Sequence, residues 1–140
     1  MAQRVAPHGV RRSPSITWAS LLFFLMGAAY VAGVLPMLLY IVRNRELPVM
    51  LGARALEGPI SQGLGIDAVI VSLYLLGVVS AAEVVVGYWL WKSRKLGGVA
   101  ALAISPISLA FWIGYEVPPF ILIVVVRAIL VWRGWRNLRG

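Results

Sequence analysis

The chain has no cysteine and one histidine, His8, near its beginning. Without cysteine there are no disulfides, no thiolate metal sites and no sulfur nucleophile. With one imidazole, placed in a tail, no histidine-based haem, copper or di-iron site forms within the apolar part of the chain. Serine, threonine and tyrosine have no histidine to activate them, and no GxxxxGK phosphate loop occurs. Catalysis by this chain alone is therefore not expected, and neither is a cofactor or metal. Charge is scarce as well: 13% of the 140 residues are Asp, Glu, Lys or Arg, against ~25% in an ordinary soluble domain. Asn and Gln are few, a composition that suits a thermophile.

What is abundant is apolar: 61% of the residues are hydrophobic. Four segments are long enough to cross a hydrocarbon core that needs ~20 helical residues. They lie at about 16–42, 66–91, 97–115 and 118–135. The runs are continuous rather than alternating, and lipid-exposed backbone must satisfy its own hydrogen bonds, so helices are expected and strands are not. The fourth is the shortest and is broken by Arg127. The first, with its basic approach and long apolar run, reads as an uncleaved signal anchor. The expected fold is an all-α polytopic membrane protein: a basic tail at 1–15, a four-transmembrane-helix bundle at 16–135 with a short interfacial helix in the first loop, and a second basic tail at 136–140.

The formal charge of +8 has a topological explanation. Arg4, Arg11 and Arg12 precede the first span, Lys92, Arg94 and Lys95 sit between the second and third, and Arg133, Arg136 and Arg139 end the chain. No acid accompanies them. On the opposite side Arg43, Arg45 and Arg54 are outweighed by Glu46, Glu57, Asp67 and Glu116. The positive-inside rule then puts both termini and the second loop in the cytoplasm of a plasma-membrane protein, facing anionic headgroups. Nucleic acid is not an expected partner, because the lipid surface already accounts for the cations.

In the first loop, Leu47, Met50, Leu51 and Leu56 fall along one side of a short surface helix, with Pro48 in its first turn and Gly58 and Pro59 ending it. Small residues recur four apart at Ala28 and Ala32, Ala29 and Gly33, Gly77 and Ala81, Ala110 and Gly114, a spacing that permits close helix packing within one chain, in a homodimer or in a larger membrane complex. Pro36 and Pro106 are expected to kink spans one and three, with Ser105 and Ser108 placed to bond a freed carbonyl. Trp18, Tyr40, Trp89, Trp91, Trp112, Tyr115, Trp132 and Trp135 form an interfacial belt.

Two charges remain at depth, Glu83 and Arg127, each costing ~2.5 to 3.5 kcal/mol near the middle of a bilayer. Glu83 precedes Lys92 by nine residues and Arg127 precedes Arg133 by six, or ~13 and ~9 Å along helices rising 1.5 Å per residue. Both spans run in the same direction, and helical side chains lean toward the helix N-terminus, so Arg127 tilts toward the level of Glu83. Glu83 shares its face with Ser80 and Gly87. Glu83, Arg127 and Ser80 are therefore the candidate site, either a buried ion pair that fixes how spans two and four meet or a protonatable coupling site.

Gly87, Tyr88, Leu90, Trp91, Lys92 and Lys95, followed by an alanine-rich third span, resemble the end of the second span in an uncharacterised family of small four-span prokaryotic, often archaeal, integral membrane proteins. Ser93 and Leu96 stand where that pattern more often has glycine and an aromatic residue. The likeness covers roughly spans two to four and implies a fold without an activity. The leading expectation is an accessory or structural component of a membrane assembly. The alternative is a small dimeric transporter or channel using Glu83 as its coupling residue, as small multidrug exporters use one membrane carboxylate, although the acid here lies in span two beside an added arginine. A membrane enzyme acting on lipid ranks third.

Overall fold

A computed structural model describes residues 13–50 and 52–139. The tail residues Arg4, His8, Arg11 and Arg12 lie outside the described residues, as do Leu51 and the side chain of Met50. The chain is all-α in its architecture. Its elements are α1 (Pro14–Ala29), a π-helical turn (Tyr30–Val34), α2 (Leu35–Asn44), β1 (Val49–Met50), β2 (Ala53–Arg54), α3 (Pro59–Trp91), α4 (Lys95–Gly114) and α5 (Pro118–Gly134), extended by a 3₁₀ turn (Trp135–Asn137). Four helical segments, Pro14–Asn44, Pro59–Trp91, Lys95–Gly114 and Pro118–Asn137, are long and apolar enough to cross a membrane.

They pack as a ring. Helix α1 lies against α3 and α5, and α4 lies between α3 and α5. Spans two and four are thus diagonal across the bundle, and the side chains that join them must cross its centre.

Local chemistry explains the helix irregularities. Pro36 has no N–H, and its ring collides with the carbonyl one turn earlier. The widened turn at Tyr30–Val34 absorbs that conflict, so the expected kink is a π-bulge and the first span continues. Gly65, with φ of 81°, separates the first turns of α3 from its long apolar part. Helix α4 runs through Pro106. Ser105 Oγ donates to the Ala101 carbonyl at 2.7 Å and Ser108 Oγ to that of Ile104 at 3.2 Å. Neither hydroxyl bonds Leu102, whose carbonyl Pro106 leaves without its N–H, so the repair expected of these serines is not the one they make.

The first loop corrects a second expectation. Instead of an interfacial helix it forms a two-rung antiparallel ladder, Val49 opposite Arg54 and Met50 opposite Ala53, continued by the Ala55 N–H donating to the Pro48 carbonyl at 2.8 Å. Gly52 turns the chain at φ 83° and Leu56 takes φ 62°. A helix of two turns gains too few hydrogen bonds to offset its nucleation cost, while the hairpin drops Leu56 into an apolar cluster with Tyr30, Leu73 and Trp112, with Leu47 packed against it.

Close approach of α1 and α3 depends on glycine. A Cβ on Gly87 would stand 3.2 Å from Phe23 Cβ and 3.3 Å from the Ser20 carbonyl. Ser20 Oγ donates to the Gly87 carbonyl at 2.7 Å across the same contact. Ala28, Ala32 and Gly33 face outward and Ala29 is half-buried, so the repeated small residues of span one are not where this glycine-dependent contact lies.

Trp18, Trp91 and Trp132 are exposed, as a belt requires. Two aromatic residues read as belt belong to the core. Trp112 stacks on Phe120 with centroids 4.3 Å apart, and buried Tyr115 shares a hydrogen bond with Ser72.

Candidate functional site

The interior divides into two apolar clusters. One, toward the first and third loops, includes Met26, Tyr30, Leu73, Leu76, Trp112 and Val124. The other, toward the second loop and the C-terminal segment, includes Ile16, Phe23, Val86, Leu90, Ala101 and Val131. A polar layer separates them. Glu83 falls between Leu76 and Val86 on α3, Ser108 between Ala101 and Trp112 on α4, and Arg127 between Val124 and Val131 on α5.

Arg127 Nη2 donates to Glu83 Oε1 across the diagonal of the ring. Ser108 Oγ donates to the same oxygen at 2.5 Å, its one proton directed chiefly there and only secondarily to the Ile104 carbonyl at 3.2 Å. The guanidinium lies over the Phe23 ring, its Cζ 4.1 Å from the centroid, where the face of the π-system attracts a cation. Every span therefore supplies one side chain to a single layer. The side chains of Arg127 and Glu83 are 0% and 2% exposed. At that burial either charge alone is strongly unfavourable, and the two are tolerable because they cancel and are hydrogen-bonded.

Among the described residues, no protein group accepts a hydrogen bond from the buried Arg127 Nε and Nη1 or from Trp112 Nε1. The cation–π contact offsets part of the cost at Arg127.

The structure thus joins Glu83 to Arg127. Ser80 is buried at 4% on the same helix, but no hydrogen bond among the described residues links it to either charge. Ser108, expected only at the Pro106 kink, takes that place. The available signal was that a second serine three residues after Ser105 exceeds what one proline needs. Replacing Ser108 with Ala removes a bond to a charged acceptor, worth about 1.5–3 kcal/mol. Unfolding in mixed micelles should show that loss. Ser105→Ala, which deletes only a bond to its own helix, should cost less than ~1 kcal/mol by the same measurement.

The remaining acids do not assemble a second site. Asp67 pairs with Arg45 at an exposed position, a contact worth ~0–1 kcal/mol. Glu116 is exposed in the turn between α4 and α5 at φ 52°. Among the described residues no group of three His, Cys, Asp or Glu side chains is placed to hold a metal ion. No protein-family model, curated protein or solved structure matches the chain.

Proposed function

We propose that this is a small plasma-membrane protein without catalysis of its own, acting as an accessory or structural component of a membrane assembly. The observation that carries this reading is the closure of the polar layer. Glu83 is 2% exposed, bonded to Arg127 and Ser108, and lies between two apolar clusters. A coupling carboxylate must exchange protons with water on at least one side, and this one faces protein on all of them. The pair instead fixes the register of four helices, the best-attested use of buried ionic groups.

Both termini and the second loop are cytoplasmic in this reading. Support comes from the clustering of like charge at one end: the Lys95 N–H donates to the Arg139 carbonyl at 2.7 Å and the Arg139 N–H to the Ser93 carbonyl at 2.8 Å. That tie draws Lys92, Arg94, Lys95 and Arg139 together, and the positive-inside rule assigns such an end to the cytoplasm.

Gentle extraction from native membrane followed by identification of what copurifies tests the role. A stoichiometric protein partner is expected. A clean homodimer whose proteoliposomes carry a flux abolished by Glu83→Gln would replace this reading with the transporter.

A further inference from the structure

The N-terminal half of α4 and the C-terminal end of α5 border a cleft of about 340 Å³ lined by Leu102, Trp132, Arg133, Trp135 and Arg136. Its size is at the lower end for small-molecule sites, and its chemistry is divided. Two guanidinium groups three residues apart supply the charge, two indoles flank them, and Leu102 forms an apolar wall on the neighbouring helix.

Those two cations have no acidic side chain among the described residues to meet. The chain's acidic side chains number five. Glu83 is committed to Arg127 and Asp67 to Arg45, while Glu46, Glu57 and Glu116 lie in the loops at the opposite end. Helix dipoles do not supply the missing charge. The C-terminus of α5, beside Arg133, contributes about −0.5 of a charge, too little to neutralise two guanidinium groups. Arg133 and Arg136 are both exposed. Arg133 follows the buried Arg127 by six residues, a rise of ~9 Å that takes it from the polar layer to headgroup level.

We propose that this cleft is a discrete site for the phosphodiester headgroup of an anionic phospholipid. Arg133 and Arg136 hold the phosphate oxygens, a planar donor set that suits phosphate better than ammonium does. Trp132 and Trp135 occupy the glycerol level, where indole is at home, and an acyl chain runs along Leu102. Basic clefts between spans on one side of a membrane take anionic lipid in this manner. The site rests on the membrane reading of the fold but not on which side is cytoplasmic, since it is defined by the cleft and not by the leaflet.

Titrating the detergent-purified protein with phosphatidylglycerol and counting bound lipid by native mass spectrometry tests the site. The unmodified protein should retain one phosphatidylglycerol in preference to phosphatidylcholine. The double variant Arg133→Gln/Arg136→Gln should lower the apparent affinity roughly 30-fold, the product of two cations at a lipid phosphate. An equally charge-depleted control, Arg94→Gln/Lys95→Gln, should lower it less than about threefold, because those residues do not line the cleft. All four positions are exposed, and a thermal unfolding midpoint close to the parent's confirms that each variant is folded. Equal losses in the two double variants would show diffuse charge attraction and overturn the site, as would no loss in the first. Inorganic phosphate displacing the lipid at equimolar concentration would show that the cleft recognises free phosphate and not a headgroup. None of these readouts depends on a copurifying partner, so failure here and failure of the accessory role are separable.

Discussion

Glu83→Gln and Arg127→Gln are each expected to destabilise the folded protein by about 3–5 kcal/mol, because each leaves the other charge buried without its counter-ion. Glutamine keeps the shape at position 83 and still accepts from Ser108, so the loss reports charge and not volume. The double variant should lose clearly less than the sum, since the second replacement removes the charge that the first left stranded. Unfolding of all four proteins in mixed micelles supplies the cycle. Strict additivity would refute the pairing and return Glu83 to the role of a titrating group.

The size of those losses must not be read as the worth of the pair. A matched hydrophobic replacement at both positions is often neutral or stabilising, since it removes two desolvation costs together with one attraction. What such a replacement discards is discrimination. With Phe23, Glu83, Ser108 and Arg127 drawn from four spans into one layer, sliding any helix by a turn breaks a polar contact in a medium that offers no other partner. In a bundle whose helices are apolar on both the lipid side and the core side, hydrophobic burial alone distinguishes such arrangements poorly. In the proposed reading, the polar layer is what singles out one of them.

That same all-round apolarity limits what the sequence reveals. The four spans are legible because length and continuity define them. The Glu83–Arg127 contact is legible because depth can be counted from the flanking Lys92 and Arg133, and side-chain tilt then closes the gap. The partner from span three is not legible, since choosing Ser108 over Ser80 requires the rotation of α4 about its axis, and a helix apolar on every face carries no moment that fixes it. Trp112 and Tyr115 depart from the expected belt for the same reason. Their positions near a span end fit a belt equally well, and only the rotation of α4 turns them onto Phe120 and Ser72. In the first loop, apolar residues at helical spacing were outweighed by Gly52 in the left-handed region.

Gly97→Ala is expected to cost about 1–3 kcal/mol or more, although it adds a single methyl group. A Cβ there would stand 2.7 Å from the Leu90 nitrogen, 2.8 Å from the Trp89 carbonyl carbon and 2.9 Å from Trp89 Cβ. Two of those atoms are backbone and cannot rotate away. The turn between the helices is already tight, with Ser93 at φ 54° and the Arg94 N–H donating to the Trp89 carbonyl at 3.0 Å. Relief therefore requires α4 to move relative to α3. Gly63→Ala serves as the comparison: nothing lies within 4 Å of its Cβ position, so the exchange should be neutral or stabilising by up to ~1 kcal/mol. Moving α4 also draws Ser108 off Glu83. Ser108→Ala should consequently cost less in the Gly97→Ala background than in the parent, a non-additivity between residues on one helix that share no contact. Full additivity there would mean that the α3–α4 turn yields locally and that the polar layer is held by the other three spans.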